Sequence, residues 1–150
     1  MARRPLPLAV AGFLFVASGA AGQIVTVGGG ALFSERPVEP VFELHAETPP
    51  IAGWRGYATL SWTDQSSAPT VITAAEHPVV RWGSAFTGLG AGLLWLEMND
   101  YRPDPMLVSS TVLPLPIPRT SLVVIGSTLP FEDFDWSLVL KVGITVLFVR

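Results

Sequence analysis

Residues 137–150 read SLVLKVGITVLFVR. Counted from Trp136, every second position is large and apolar: Leu138, Leu140, Val142, Ile144, Val146 and Phe148. The intervening positions are mixed: Ser137, Val139, Lys141, Gly143, Thr145, Leu147 and Val149. Side chains of an extended chain alternate between its two sides, so this stretch predicts a strand with one unbroken apolar face. A membrane helix needs about 20 consecutive apolar residues, which the stretch does not supply. Lys141, on the mixed face, then points to an interior where a charge finds a partner rather than to lipid or an apolar core.

The same pattern recurs upstream. Eight runs rich in β-branched and aromatic residues cover 24–33, 40–48, 55–63, 69–82, 86–98, 105–114, 119–129 and 136–149. Clusters of Pro, Gly, Asp and Ser separate them: SERPVE, PPIAGW, DQSSA, GSA, NDYRPD, LPIP and PFEDFD. Such punctuation marks turns between strands. In 55–63, Ala58, Leu60 and Trp62 oppose Tyr57, Thr59, Ser61 and Thr63; in 41–48, Phe42, Leu44 and Ala46 oppose Glu43, His45 and Glu47. Clean helical periodicity is absent. Pro78, inside the fourth run, cannot donate to a ladder, so it demands a bulge or splits that run.

Bulk composition agrees with a chain whose surface need not all face water. Hydrophobic residues make up 49% of the 150 residues and charged ones 14%, against about 25% charged in ordinary soluble domains. The net charge of −3 and the lack of any basic run exclude nucleic acid as an expected partner. With no cysteine and two histidines, neither a thiolate site nor a dedicated metal centre is expected, and no motif calls for a cofactor. The N-terminus combines Arg3 and Arg4, an apolar segment from Leu6 to Val16, and the small residues ASGAAG. That order predicts a signal peptide over 1–22, leaving 23–150 as one domain.

An export signal, eight amphipathic runs and a last strand ending near a phenylalanine resemble the small outer-membrane β-barrel proteins of Gram-negative bacteria. The resemblance covers about residues 23–150 and lies in architecture, with no subfamily motif. It departs at the C-terminus, where Val149 and Arg150 follow Phe148 although such chains usually end on the aromatic residue. The resemblance implies an all-β fold, an eight-stranded antiparallel up-and-down transmembrane barrel with both ends periplasmic. It further implies an outer-membrane location and partners that are outer-membrane lipid and other envelope proteins. Trp54, Trp62, Trp82, Trp95 and Trp136 fall near run ends, where an aromatic girdle would sit. Eight strands enclose an interior that side chains just fill. With that topology the outward turns hold Glu35, Glu39, Asp64, Asp100, Asp104, Glu132, Asp133 and Asp135, while the inward turns hold no acid.

A turn centred near residue 52 sets Glu43 opposite Ser61, His45 opposite Thr59 and Glu47 opposite Tyr57. A hydroxyl, an imidazole and a carboxylate on one face are the minimum for acyl transfer, which makes Ser61, His45 and Glu43 catalytic candidates. The plainer expectation is a lumen network in which Glu43, His45 and Glu47 pair with Arg55, Arg81 and Lys141, since buried charges need partners. Gly28, Gly30, Gly88, Gly90 and Gly92 are expected inside, making room for neighbours. The leading expectation is thus a barrel with a structural or interaction role, a side-chain-filled interior and no catalysis. An outer-membrane lipid acyl hydrolase and a soluble exported β-sandwich or small-ligand-binding barrel remain the alternatives.

Overall fold

The computed structural model describes residues 23–34, 37–64, 68–96, 100, 102–129 and 136–149; the side chains of Gln23 and 145–149 lie outside that description. The expected signal peptide, the acidic residues Glu35, Glu132, Asp133 and Asp135, and the terminal Arg150 fall outside the described residues. Eight strands follow one another: β1 (Gln23–Phe33), β2 (Glu39–Glu47), β3 (Arg55–Thr63), β4 (Thr70–Trp82), β5 (Ala85–Trp95), β6 (Pro103–Pro114), β7 (Thr120–Thr128) and β8 (Trp136–Val149). Each pairs with its sequence neighbours, and β8 returns to pair with β1, so the chain forms a closed antiparallel up-and-down barrel. The expected all-β fold and strand count are therefore present. Closure leaves no sheet edge with unpaired backbone groups.

Turn chemistry fixes the hairpins at one end. Ile51 and Trp54 exchange backbone hydrogen bonds of 2.8 and 3.0 Å around Ala52 and Gly53. Both central residues have positive φ, 51° and 84°, which is the type I′ geometry that matches strand twist. Gly83, with φ of 62°, opens the two-residue turn between β4 and β5. Between β6 and β7, Thr120 N donates to Ile117 O over Pro118 and Arg119, whose φ is 60°. A turn with proline first and a left-handed second residue is type II, where glycine is the usual occupant.

Two irregularities decide which side chains face inward. Pro78 pairs with Gly88 and Val80 with Thr87, so Val79 is an extra residue in β4. Pro78 thus sits at a bulge within a continuous strand, and the run is not split. On β8, Thr145 pairs with Thr26 and Leu147 with Val25, which leaves Val146 as a second bulge. The pairing register of β8 with β1 therefore shifts by one residue at Val146.

Up to that point the alternation holds. Trp136, Leu138, Leu140, Val142 and Ile144 are all exposed on the outer face, and Lys141 and Gly143 between them are buried. Trp54 and Trp82 lie at one end of the barrel; Trp62, Trp95 and Trp136 lie at the other. Trp62 packs against Phe42 with ring centroids 5.9 Å apart, and the Trp95 indole donates to Thr73 Oγ1 at 3.4 Å.

Candidate functional site

The polar face of the β2–β3 hairpin has the register expected of it: Glu43 faces Ser61, His45 faces Thr59 and Glu47 faces Tyr57. All six project into the barrel. Glu43, Thr59, Glu76 and Lys141 are at most 3% exposed. Ionised groups at such depth persist only with partners, and each of these has them.

Lys141 forms an ion pair with Glu43, whose other oxygen accepts from Ser61 Oγ at 2.7 Å. The two ends of this pair belong to strands that are not paired with each other. β1 runs between β2 and β8, and it places Gly28 opposite both Glu43 and Gly143, and Gly30 opposite Lys141. A Cβ on Gly28 would lie 3.5 Å from the lysine's Cδ, so the glycines leave the space through which Lys141 crosses β1.

A second cluster repeats the device. Arg55 Nη1 donates to Glu47 at 3.3 Å and Nη2 to Glu76 at 3.3 Å, while the guanidinium carbon stands 3.9 Å from the centre of the Phe86 ring. Glu76 also accepts from Tyr57 OH at 3.2 Å and from Ser110 Oγ. Ser110 is on β6, and β5 intervenes with Gly90 opposite Glu76 and Gly88 opposite Ser110. A Cβ on Gly88 would meet Glu76 Oε2 at 2.9 Å. Gly28 and Gly30 of GGG, and Gly88 and Gly90 of GLGAG, are windows between non-adjacent strands.

His45 extends the second cluster. Its Nε2 lies 3.0 Å from Glu47 Oε1 and its Nδ1 2.8 Å from Thr59 Oγ1. A carboxylate only accepts, so Nε2 carries a proton, and in a neutral ring Nδ1 then accepts from the Thr59 hydroxyl. The hydroxyl–imidazole–carboxylate chain is thus Thr59–His45–Glu47. Ser61, the expected nucleophile, donates to Glu43 instead of to His45. Thr59 is 1% exposed, and neither hydroxyl lines the cavity described below.

Of the expected network, Glu43, His45, Glu47, Arg55 and Lys141 come together. Arg81 does not. It faces Phe86 across the β4–β5 pair but is exposed one residue from the strand end, where water solvates its guanidinium, and it forms no ion pair with a described residue. Glu76 was not among the expected members. Its inward position follows from its pairing with Arg55 of β3, and the Val79 bulge gives Glu76 and Arg81 the same side although five positions separate them.

The interior is not filled along its whole length, as the sequence suggested it would be. The ion pairs close a layer at mid-barrel. Between this layer and the end carrying the β2–β3, β4–β5 and β6–β7 turns lies a cavity of about 530 Å³. Glu47, Arg55 and Glu76 line one wall; Val112, Val123 and Ile125 line another. Among the described residues no group of three or more His, Asp or Glu side chains could hold a metal ion.

Comparison of the chain with protein-family models and with curated proteins gives no match.

Proposed function

We propose that the chain is a small outer-membrane β-barrel, exported with loss of residues 1–22, that has a structural or interaction role in the envelope and no catalysis of its own. One observation carries this reading: the polarity of the barrel is inverted relative to a protein folded in water. On β8 alone, five successive outward residues from Trp136 to Ile144 are exposed and apolar, while the carboxylates of Glu43 and Glu76 and the ammonium of Lys141 are inside. Phe42, Leu89, Leu93 and Leu107 extend the apolar exterior to other strands. Exposed apolar surface costs roughly 25 cal/mol per Å² in water, and water-soluble monomers seldom present patches beyond a few hundred Å². Lipid removes that cost, and a closed barrel satisfies every strand in a medium without hydrogen-bonding partners. Tryptophans at both ends suit the two interfaces.

Short turns between the strands leave little surface for a receptor or adhesion site, so the lipid-facing exterior and the rims are where partners would meet it. The Thr59 hydroxyl of the hydroxyl–imidazole–carboxylate chain is buried and off the cavity wall, which favours a structural use for it over acyl hydrolysis. Fractionation tests the proposal: the protein should be recovered with outer membranes, require detergent for extraction, and migrate differently on gels before and after boiling. Recovery in the soluble periplasmic fraction without detergent would exclude it. An altered lipid acyl pattern on overproduction would restore the hydrolase reading.

A further inference from the structure

The cavity at the short-turn end has a carboxylate on its wall that the ion pairs leave partly uncovered. Glu43 and Glu76, paired with Lys141 and Arg55, are buried. A partly covered carboxylate in a poorly hydrated interior attracts a cation that can complete its contacts.

Glu47 is this carboxylate. It lines the cavity, and its side chain is 20% exposed, against 2% for Glu43 and 0% for Glu76. Each of its oxygens accepts one hydrogen bond from the protein, from His45 and Arg55, while an ionised carboxylate offers about four lone-pair sites. Across the cavity, Val112, Val123 and Ile125 present apolar surface to whatever the charged head carries. At about 530 Å³ the space falls within the ~300–1,000 Å³ of small-molecule sites.

We propose that this cavity binds a small organic monocation, a primary or secondary amine on an aromatic or branched alkyl body, with its ammonium on Glu47. An anion of the same shape meets the Glu47 carboxylate, and the matching alcohol lacks the charge to pair with it. The site needs only the folded barrel, so its failure and the failure of the membrane reading are separate results.

Calorimetric titration of the folded barrel in micelles, corrected with protein-free micelles, tests this with three matched probes: 2-phenylethylammonium, 2-phenylethanol and 3-phenylpropanoate. The ammonium should bind at least ten-fold tighter than the alcohol, and the carboxylate weakest. Glu47→Gln should lower the ammonium's affinity at least ten-fold and leave the alcohol's unchanged. Val123→Trp should remove binding of all three. Absent binding, equal affinity of ammonium and alcohol, or preference for the carboxylate would overturn the proposal in the unmodified chain, whether or not either variant folds. Unchanged ammonium binding in folded Glu47→Gln or Val123→Trp would also overturn it.

Discussion

Replacing Lys141 by methionine probes the pair that closes the barrel at its middle. The substitution keeps much of the stem's length and deletes the charge. Glu43 then remains inside a site where both side chains are 2% exposed, with the Ser61 hydroxyl as its remaining donor. Removing one member of a buried ion pair costs about 3–5 kcal/mol, and the retained hydroxyl places the loss near the lower figure. At a urea slope of about 2 kcal/mol per M the unfolding midpoint should fall by roughly 1.5 M. The assay is urea unfolding of the barrel in lipid vesicles, followed by tryptophan fluorescence. The companion is the double variant Lys141→Met with Glu43→Leu, which removes both charges. Because a buried pair replaced by apolar groups is often neutral, the double variant should recover at least half of the loss. A single variant that unfolds with the parent, or a double variant as unstable as the single, would refute the reasoning.

Other substitutions test the turns, the windows and the exterior. Ala52→Asn creates Asn-Gly at the type I′ turn, where Ala52 now has φ of 51°, and should raise stability by about 0.5–1 kcal/mol in the same urea assay. Gly90→Ala would set a Cβ 1.9 Å from the Ala75 carbonyl oxygen, whereas at Gly29 the nearest atom is 3.8 Å away. The first should lower the fraction of barrel that resists unfolding in cold gel sample buffer, and Gly29→Ala should leave it unchanged. Val142→Arg places a charge on an exposed outward position of β8. It should cost about 2–4 kcal/mol if that position faces the bilayer centre, and less than about 0.5 kcal/mol if it faces water, as read from vesicle unfolding.

Much of the fold was legible because a two-residue period and its turn residues leave few alternatives. The runs 55–63 and 136–149 coincide with β3 and β8. The β2–β3 register followed from a turn centred near residue 52, since one slipped residue would carry Glu43 and His45 to the apolar side. β6 starts at Pro103, earlier than its pattern suggested, because Pro103 within NDYRPD read as turn. What parity could not give was the consequence of a bulge. Pro78 announced an irregularity, but only the pairing shows that Val79 is the extra residue and that Glu76 turns inward. Nothing in the order of residues says that Lys141 meets Glu43 and Arg55 meets Glu47 and Glu76. That choice follows from closure, which sets β8 two strands from β2, and from glycines placed between them. The cavity was equally invisible, because it depends on how far each inward side chain reaches.

The central claim is that this barrel stands in lipid with its charges inside. The chain contains no cysteine, so single cysteines can be introduced at each position from 138 to 144 and spin-labelled in bilayer-embedded protein. Collision with oxygen, concentrated in lipid, should be high at 138, 140, 142 and 144 and low at 139, 141 and 143. Collision with a water-soluble nickel chelate should be low at all four outward positions. Uniformly high access of the chelate at the outward positions, or oxygen access without a two-residue period, would contradict the account.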